Sequence, residues 1–266
     1  MADASAREGV EAEAVDWLGR PVSCRDCPHE EIRAEGRCDL GRICVRDRRS
    51  KRIDRFFASN PALANRYLDH RYGELRVLAA KHASVFLIQK LIDDPEPDVR
   101  AMVAYRLPIG RIGQLKSDAD RKVRLAVAQR AVGQDLIDLL GDEDYAVRCL
   151  AARRVDPTVL AIARRDPDSD VRRVVAVRIS QELLVPMMFD ADPLVRLEVA
   201  RRLEPHRLEV LVHDTDLRVR YVVAERCSPN LLHYLAYDTD PEVRQIALAR
   251  VAKEMDEEGG RDGSGT

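Results

Sequence analysis

The sequence contains no apolar run near the roughly 18 residues that a membrane-spanning helix needs, so it predicts no membrane contact. Its first residues are rich in alanine and glutamate and lack the basic and apolar regions of a signal peptide, so we expect a cytoplasmic protein. An excess of either charge is also missing, because 44 Lys and Arg stand against 46 Asp and Glu. This balance argues against a general binder of polyanions.

Catalytic motifs are missing as well. The sequence has no H-E-x-x-H motif and no glycine-rich phosphate loop before a helix. Its histidines outside the cysteine-rich segment fall at unrelated positions and suggest no pairing with Cys or Ser; they are His70, His82, His206, His213 and His233. We therefore expect a protein that is not an enzyme, although helical-repeat enzymes can assemble a site across repeats.

What the sequence does contain is a 24-residue period from about His70 to Lys253. Its marker is a Val-Arg pair, with Asp five residues before the Val, Ala five residues after it in most copies and Arg seven residues after it. The marker recurs at Val99-Arg100, Val123-Arg124, Val147-Arg148, Val171-Arg172, Val195-Arg196, Val219-Arg220 and Val243-Arg244, after a weaker copy at Leu75-Arg76. A strict period without insertions predicts a stacked repeat array.

Each repeat predicts one helix and one shorter helical piece. Counting from the marker Val as position 0, apolar residues fall at 0, +4, +5 and +8, which is the spacing of one helix face. An Asp at −3, such as Asp120, occupies the expected N-cap position. A second apolar pair near +13 and +16, such as Leu136 and Leu139, leaves room only for one or two turns of 3₁₀ character. Because one repeat cannot bury its own apolar face, we predict an all-α, right-handed superhelical solenoid.

The acidic and basic columns of the repeat predict a structural ladder. Asp at −3 and Arg at +1, as in Asp120 and Arg124, are four residues apart, so we expect an ion pair within each helix. The Arg at +7 borders the buried stripe, and its guanidinium should reach carboxylates or carbonyls of an adjacent repeat. Acid and base alternate along the array, so the uncompensated basic stripe typical of nucleic-acid binding is not expected.

Four of the six cysteines lie within 21 residues in the pattern C-x2-C-x10-C-x5-C; they are Cys24, Cys27, Cys38 and Cys44. In a reducing cytoplasm such a group indicates a metal site rather than disulfides. Four thiolates suit a [4Fe–4S] cluster or structural zinc. Zinc sites usually repeat a short cysteine pair on both sides, so the wider second spacing favours the cluster, and zinc stays as the alternative. Nearby, Trp17 is expected to pack in the core rather than to cover the metal site, and His29 to lie at the surface rather than to replace a cysteine at a zinc site.

Together, the four-cysteine segment and the repeats of the pattern Asp-x-Asp-x-x-Val-Arg-x-x-Val-Ala-x-Arg resemble the leucine-rich repeat variant (LRV) proteins with an N-terminal [4Fe–4S] domain. The resemblance covers nearly the whole chain. It implies alternating α and 3₁₀ helices in a right-handed superhelix, with the cluster held by Cys24, Cys27, Cys38 and Cys44. It implies no reaction. Members of this family are similar to proteins found in nitrogen-fixing bacteria. The resemblance therefore suggests partners in iron–sulfur or nitrogenase metabolism.

The predicted organisation has three parts: a cysteine domain at 1–55, the repeat solenoid at 56–253 and a disordered tail at 254–266. Residues 1–14 are expected to be mobile. The basic run of residues 46–52 is interpreted as a solvated helix face, with binding of an acidic partner or of phosphates as the alternative, and its Lys51-Arg52 pair as part of an end-capping unit. Four aromatic residues are expected to form the joint between domain and array: Phe56, Phe57, Tyr67 and Tyr72. Cys149 and Cys227 occupy repeat positions and read as packed thiols.

We therefore expect a non-enzymatic interaction protein that binds a partner protein on the concave face of its array, with a structural or redox-responsive cluster. The first alternative is an electron-transfer or redox-sensing protein, which requires a partly exposed cluster. The second is a nucleic-acid-binding repeat protein, whose binding would weaken steeply with salt. Neither the identity of the partner nor the oligomeric state follows from the sequence.

Overall fold

The computed structural model describes residues 14–25 and 27–262, with side chains as far as Met255. Within this range the chain is helical, with two isolated antiparallel bridges, Val15 with Pro21 and Asp39 with Ile43, and no β-strand. No helix in the described range is long and apolar enough to cross a membrane. Of residues 1–14, which the sequence predicts to be mobile, residues 1–13 lie outside the described residues. Ala14 is fully buried, and its carbonyl accepts the N–H of Val22 at 3.0 Å. The described chain divides after Asp135 into two compact units.

The first unit contains the cysteine segment and the first repeats. Its long helices are α1 (Ser50–Ser59), α2 (Gly73–His82), α3 (Pro97–Arg106) and α4 (Arg121–Ala128). Each of these helices packs on the next one in the chain. The short α and 3₁₀ pieces of this unit are Glu31–Arg33, Pro61–Ala64, Asn65–Tyr67, Val85–Ile88, Gln89–Leu91, Ile109–Ile112 and Gly113–Ser117, and Gly133–Asp138 follows α4.

The second unit repeats the same alternation. Its long helices are α5 (Tyr145–Arg154), α6 (Ser169–Arg178), α7 (Pro193–Arg202), α8 (Leu217–Arg226) and α9 (Pro241–Asp262), each packed on the next. Its short pieces are Leu139–Gly141, Pro157–Ala163, Gln181–Leu184, Val185–Phe189, Pro205–Leu211, Pro229–Leu231 and Leu232–Leu235. Helix α9 extends to Asp262, eight residues past Glu254.

The repeat pattern explains where the helices lie. Every marker Val from Val99 to Val243 has no exposed surface, and so has every Ala at +5 from Ala104 to Ala224. Asp residues at −3 act as the predicted N-caps: the carboxylate of Asp168, for example, accepts the backbone N–H of Asp170 at 2.9 Å. The second apolar pair is buried as expected, with Leu208 fully buried and Leu211 only 2% exposed. Periodic burial therefore follows the sequence pattern closely.

The ion pair predicted within each helix is wrong. The Arg at +1 instead reaches the Asp at −5 of the following repeat, as Arg172 does when its Nε and Nη2 donate to Asp190 at 2.8 and 2.9 Å. Its Nη1 donates to the carbonyl of Asp166 at 2.8 Å, so one guanidinium joins two repeats. The equivalent pairs are Arg76–Asp94, Arg100–Asp118, Arg148–Asp166, Arg196–Asp214 and Arg220–Asp238. The Asp at −3 is engaged as a cap, which leaves the guanidinium to the next repeat.

The second arginine column, at +7, behaves as expected. Arg202 donates to the carbonyls of Ala176 at 2.6 Å and Ile179 at 2.7 Å, at the end of the preceding repeat helix. The last carbonyls of a helix have no partner within it, and their partial negative charge favours a cation. Arg178 does the same for Ala152 and Val155. Both arginine columns therefore serve contacts between repeats.

Candidate metal centre

The four cysteines lie in a segment that is built from turns rather than from repeats. The first pair is closed by a turn in which Cys27 N–H donates to the carbonyl of Cys24 at 3.2 Å. The second pair is spanned by a tight reversal, in which Asp39 and Ile43 exchange two backbone hydrogen bonds of 2.8 and 2.7 Å. Gly41 turns the chain there with a φ of 82°, a conformation that residues with a Cβ rarely adopt. The chain between Cys38 and Cys44 therefore folds back on itself.

The four thiols are near enough to influence one another. Cys38 is 6% exposed and Cys44 is 4% exposed, whereas Cys24 and Cys27 are half-buried. Burial raises the pKa of Cys38 to about 12, and negative charge on Cys44, Cys27 and Cys24 contributes to the rise. Without a metal, a thiol with such a pKa stays protonated at neutral pH. Metal binding requires the thiolate and releases its proton.

The surroundings of Cys44 suit a thiolate ligand on a cluster. Burial raises the pKa of this thiol, while hydrogen bonds from the backbone N–H groups of Arg46 and Asp47 lower it. Hydrogen bonds of this kind to sulfur are one means by which proteins tune an iron–sulfur cluster. Ala14, Val22 and Leu40 pack around Cys44 and shield it from water, and Cys24 packs against this group. The donor set of four cysteines therefore fits an iron–sulfur cluster.

The described residues contain no group of three or more His, Cys, Asp or Glu side chains arranged for a single metal ion. All six cysteines are free thiols. Cys149 and Cys227 lie outside the segment, in the repeat core, with 8% and 1% of their surface exposed. Their reading as packed thiols is confirmed.

Two buried polar residues hold the cysteine segment against α1, and sequence reasoning missed both. Asp47 has no exposed surface; it accepts the N–H of Arg49 at 2.9 Å and Nη1 of Arg52 at 2.5 Å, which orders the turn before the helix. Asn60, 3% exposed, donates through Nδ2 to the carbonyls of Arg37 and Phe56 at 2.8 and 2.9 Å. It thereby fixes the residue that precedes Cys38. In the sequence, Asn-Pro after a helix predicts only a turn. The contacts that Asn60 makes with Arg37 and Phe56 could therefore not be predicted.

His29 is buried, so the prediction of a surface histidine is wrong. Only 6% of the residue is exposed, and its Nε2 lies 2.5 Å from the hydroxyl of Tyr67. Burial lowers the pKa of His29, with a smaller contribution from the charge of Arg66. Burial also raises the pKa of Tyr67 to about 12, so both groups are neutral at pH 7. The turn after Cys27 folds the imidazole against Phe56, with ring centroids 5.1 Å apart.

The predicted aromatic joint between the cysteine segment and the repeats is confirmed. Phe56 and Phe57 are completely buried, and Phe57 packs edge-on against Tyr67 at 5.5 Å. The contacts continue outward from Tyr67 through His70 at 6.2 Å and Tyr72 at 5.5 Å to Trp17 at 5.1 Å. Trp17 stacks on Tyr72 and is half-buried, in keeping with a packing role. A row of rings thus runs from the cysteine segment to the first repeat.

Comparison with known proteins adds three findings. The family described as "LRV protein FeS4 cluster" matches residues 14–66, which include all four cysteines and α1. An "Uncharacterized 27.7 kDa protein in nifB 3'region" of Rhodobacter capsulatus is 45% identical over 87 residues, which is 33% of this chain and 36% of that protein. The match thus spans about a third of that relative's length.

The third finding is a solved structure described as "A leucine-rich repeat variant with a novel repetitive protein structural motif". It is 39% identical to this chain and superimposes with a TM-score of 0.82. The superposition covers 86% of this chain and 98% of the other.

Proposed function

This chain belongs to the leucine-rich repeat variant family, and from that premise we propose a non-enzymatic protein-interaction module that carries a [4Fe–4S] cluster. The ligands are Cys24, Cys27, Cys38 and Cys44. The observation that supports the interaction role is that the repeat arginines bind groups within the array. Arg172 and Arg202 represent two columns that are bound within the array, to Asp190 and to backbone carbonyls. The helix side opposite the buried stripe is then left for a partner.

This partner-facing side, which we call the outer face, consists of positions −1, +2, +3 and +6. At about 100° per residue these positions point away from the stripe at 0, +4, +5 and +8. Position +6 is exposed in every described copy, whereas +2 is buried in some of them, as at Cys149, which is 8% exposed. In the first unit the outer face is apolar at its centre, where Val77, Leu78 and Met102 are half-buried. Apolar side chains in an accessible row are typical of surfaces that bind protein. None of the five scattered histidines is needed for this role.

The cysteine segment supplies the cofactor site. Bound there, the cluster would supply a centre for one-electron chemistry. Cys38 and Cys44 form the buried side of the site, and Cys24 and Cys27 the side toward the surface. The N–H groups of Arg46 and Asp47 stabilise negative charge on the Cys44 sulfur. A group of free thiols also suits a reducing compartment, which supports the cytoplasm as its location.

Electron transfer or redox sensing is the second candidate function. The half-burial of Cys24 and Cys27 favours it, because a cluster with an accessible edge exchanges electrons more readily than one enclosed on all sides. A reversible reduction of the isolated protein would support this role. A cluster that resists reduction, and whose loss unfolds the segment around α1, would support a structural role.

Nucleic acid is not part of the proposal, because the two arginine columns have partners in the array. The guanidinium of Arg196, for example, donates hydrogen bonds to Asp214 and to the carbonyl of Asp190. Gel shifts at low salt test this directly, since binding through phosphates strengthens as salt falls. A shift that grows at low ionic strength would contradict the proposal.

The decisive experiment is anaerobic purification followed by analysis of iron, sulfide and zinc. We expect about four irons and four sulfides per chain, the content of one [4Fe–4S] cluster. The Cys24→Ser variant should lose much of both, whereas the matched Cys149→Ser variant should retain them. Zinc without sulfide would establish the zinc alternative. Pull-downs with wild type and Cys24→Ser then show whether partner binding depends on the cluster.

A further inference from the structure

The first unit carries a groove of about 520 Å³ on the outer face of α2 and α3. Val77, Leu78 and Met102 give it an apolar lining, and Tyr105, 48% exposed, also lines it. This volume is within the range of sites that enclose ligands, about 300–1,000 Å³. All described residues that line the groove belong to the first unit, and none of them is a cysteine.

The polar part of the groove is acidic. Glu74, Glu96 and Asp98 line it together with a single cation, Lys122. Lys122 Nζ lies 2.8 Å from Asp98, so this pair is neutral overall. Glu74 and Glu96 are exposed, and within the described chain neither carboxylate has an ion-pair partner within 4.0 Å. The charge of Arg76 acts on both carboxylates, but its guanidinium is bound to Asp94. The groove therefore presents two exposed carboxylates, without a direct ion-pair partner among the described residues, beside an apolar surface.

Two departures from the repeat pattern meet at this groove. Glu96 occupies the −3 position, where all later copies have Asp, and its side chain makes no capping hydrogen bond. Gly73 is the only glycine at −2 in any copy. A Cβ on Gly73 would lie 2.6 Å from Cγ of Glu96, so glycine leaves the space through which the glutamate side chain passes. The longer acid is thus directed across the start of α2 instead of capping α3.

We propose that this groove binds a segment of a partner protein in which Lys or Arg side chains alternate with large aliphatic ones; the proposal rests on the interaction role given above. The aliphatic side chains pack on Val77, Leu78 and Met102, and the cations lie against Glu74 and Glu96. The charge of the groove selects a basic segment over an acidic one. The second unit has Asp at every −3 position and no glycine at −2, so it does not repeat this arrangement.

The probes are three fluorescein-labelled peptides of equal length, in which leucine alternates with lysine, glutamate or serine. Fluorescence anisotropy should show binding of the lysine peptide alone, weakening as salt screens the carboxylates. Glu74→Gln and Glu96→Gln should each weaken it about fivefold, the effect of one ion pair at contact distance in water. Glu225→Gln, at an exposed position of α8, makes the same charge change elsewhere and should have no effect.

Gly73→Ala gives an independent test, because it displaces Glu96 without changing any charge. We expect weaker binding of the lysine peptide, with a thermal melt showing that the variant is folded. Equal affinity for the three peptides, no binding at all, or unchanged binding by Glu96→Gln would overturn the proposal.

A photocrosslinking amino acid separates this proposal from the general interaction role. It is placed at Met102 in the groove or at Phe189, which is 70% exposed on a 3₁₀ piece of the second unit. A crosslinked protein at Met102 supports the groove only if Glu96→Gln and an excess of lysine peptide abolish it. A protein crosslinked from Phe189 alone would refute the groove and leave the interaction role intact. Crosslinks at neither position would overturn the interaction role and, with it, a partner segment in the groove, even if the lysine peptide still binds.

Discussion

Replacement of Arg172 by Met should destabilise the array because it removes the ion-pair partner of one largely buried carboxylate, that of Asp190. Arg172 donates two hydrogen bonds to Asp190 and one to the carbonyl of Asp166, and its side chain is only 15% exposed. Methionine retains much of the aliphatic stem but removes the charge. Asp190, whose side chain is 9% exposed, would then lose its ion-pair partner, and the cation that remains nearby is Arg196, which donates to the Asp190 carbonyl at 2.8 Å.

The expected loss follows from what Asp190 retains. Removal of one partner of a buried ion pair costs about 3–5 kcal/mol. Asp190 would still accept the N–H of Asp192 at 2.9 Å, so we expect the lower end of that range, about 3 kcal/mol. For a protein of this size 1 kcal/mol corresponds to roughly 2–4 °C in Tm, and the expected decrease is about 6–12 °C.

The matched control is the next residue in the chain. Arg173 is 39% exposed and pairs with Asp170 at 3.2 Å across one helical turn, an exposed pair. Arg173→Met should therefore cost only about 0–1 kcal/mol. Urea unfolding followed by circular dichroism measures both variants, and hydrogen exchange shows whether the loss centres on α6 and α7. Equal destabilisation of the two variants would refute the ladder as a source of stability.

Acid should weaken the same ladder: guanidinium hydrogen bonds lower the pKa of Asp118 and Asp238 in the folded state. Their contribution should be complete well above the unfolded-state Asp pKa of about 3.9, begin to fall near that value and be lost as pH falls through the lower folded-state pKa. Urea unfolding at a series of pH values from neutral downward measures this decrease. Asp168→Ala removes a helix cap and should cost about 1 kcal/mol in a thermal melt, and an unchanged melt would contradict the cap. Cys227→Ser places a hydroxyl in the repeat core and should destabilise by about 1–3 kcal/mol while leaving the iron content unchanged; loss of iron would show that the residue reaches the cluster.

Much of the fold could be predicted from sequence because helix geometry is a local rule. The positions of Val171, Val175 and Ala176 on one face, and the cap at Asp168, depend only on residues a few places apart. Stacking was predictable as well, since each copy buries the same columns against its neighbour. Identical copies must make identical contacts, so one period of sequence describes most of the chain.

The partners within the charge columns could not be predicted in this way. Arg172 has Asp168 four residues before it and Asp190 eighteen residues after it, and both spacings recur in every copy from Arg124 to Arg220. Only the stacked backbone shows that Asp168 is occupied by capping and that Asp190 lies within reach. Periodicity cannot distinguish contacts within a repeat from contacts between repeats.

For the candidate site, the sequence was enough to predict the donor set: four thiols in one short segment, with the chemistry of a metal ligand. The tertiary structure decided everything around them, from the burial of His29 to the hydrogen bonds of Asp47 and Asn60. The physical reason is that this segment has no period and few local helix bonds. Its conformation depends on contacts between residues as far apart as Arg37 and Asn60, which no spacing rule contains.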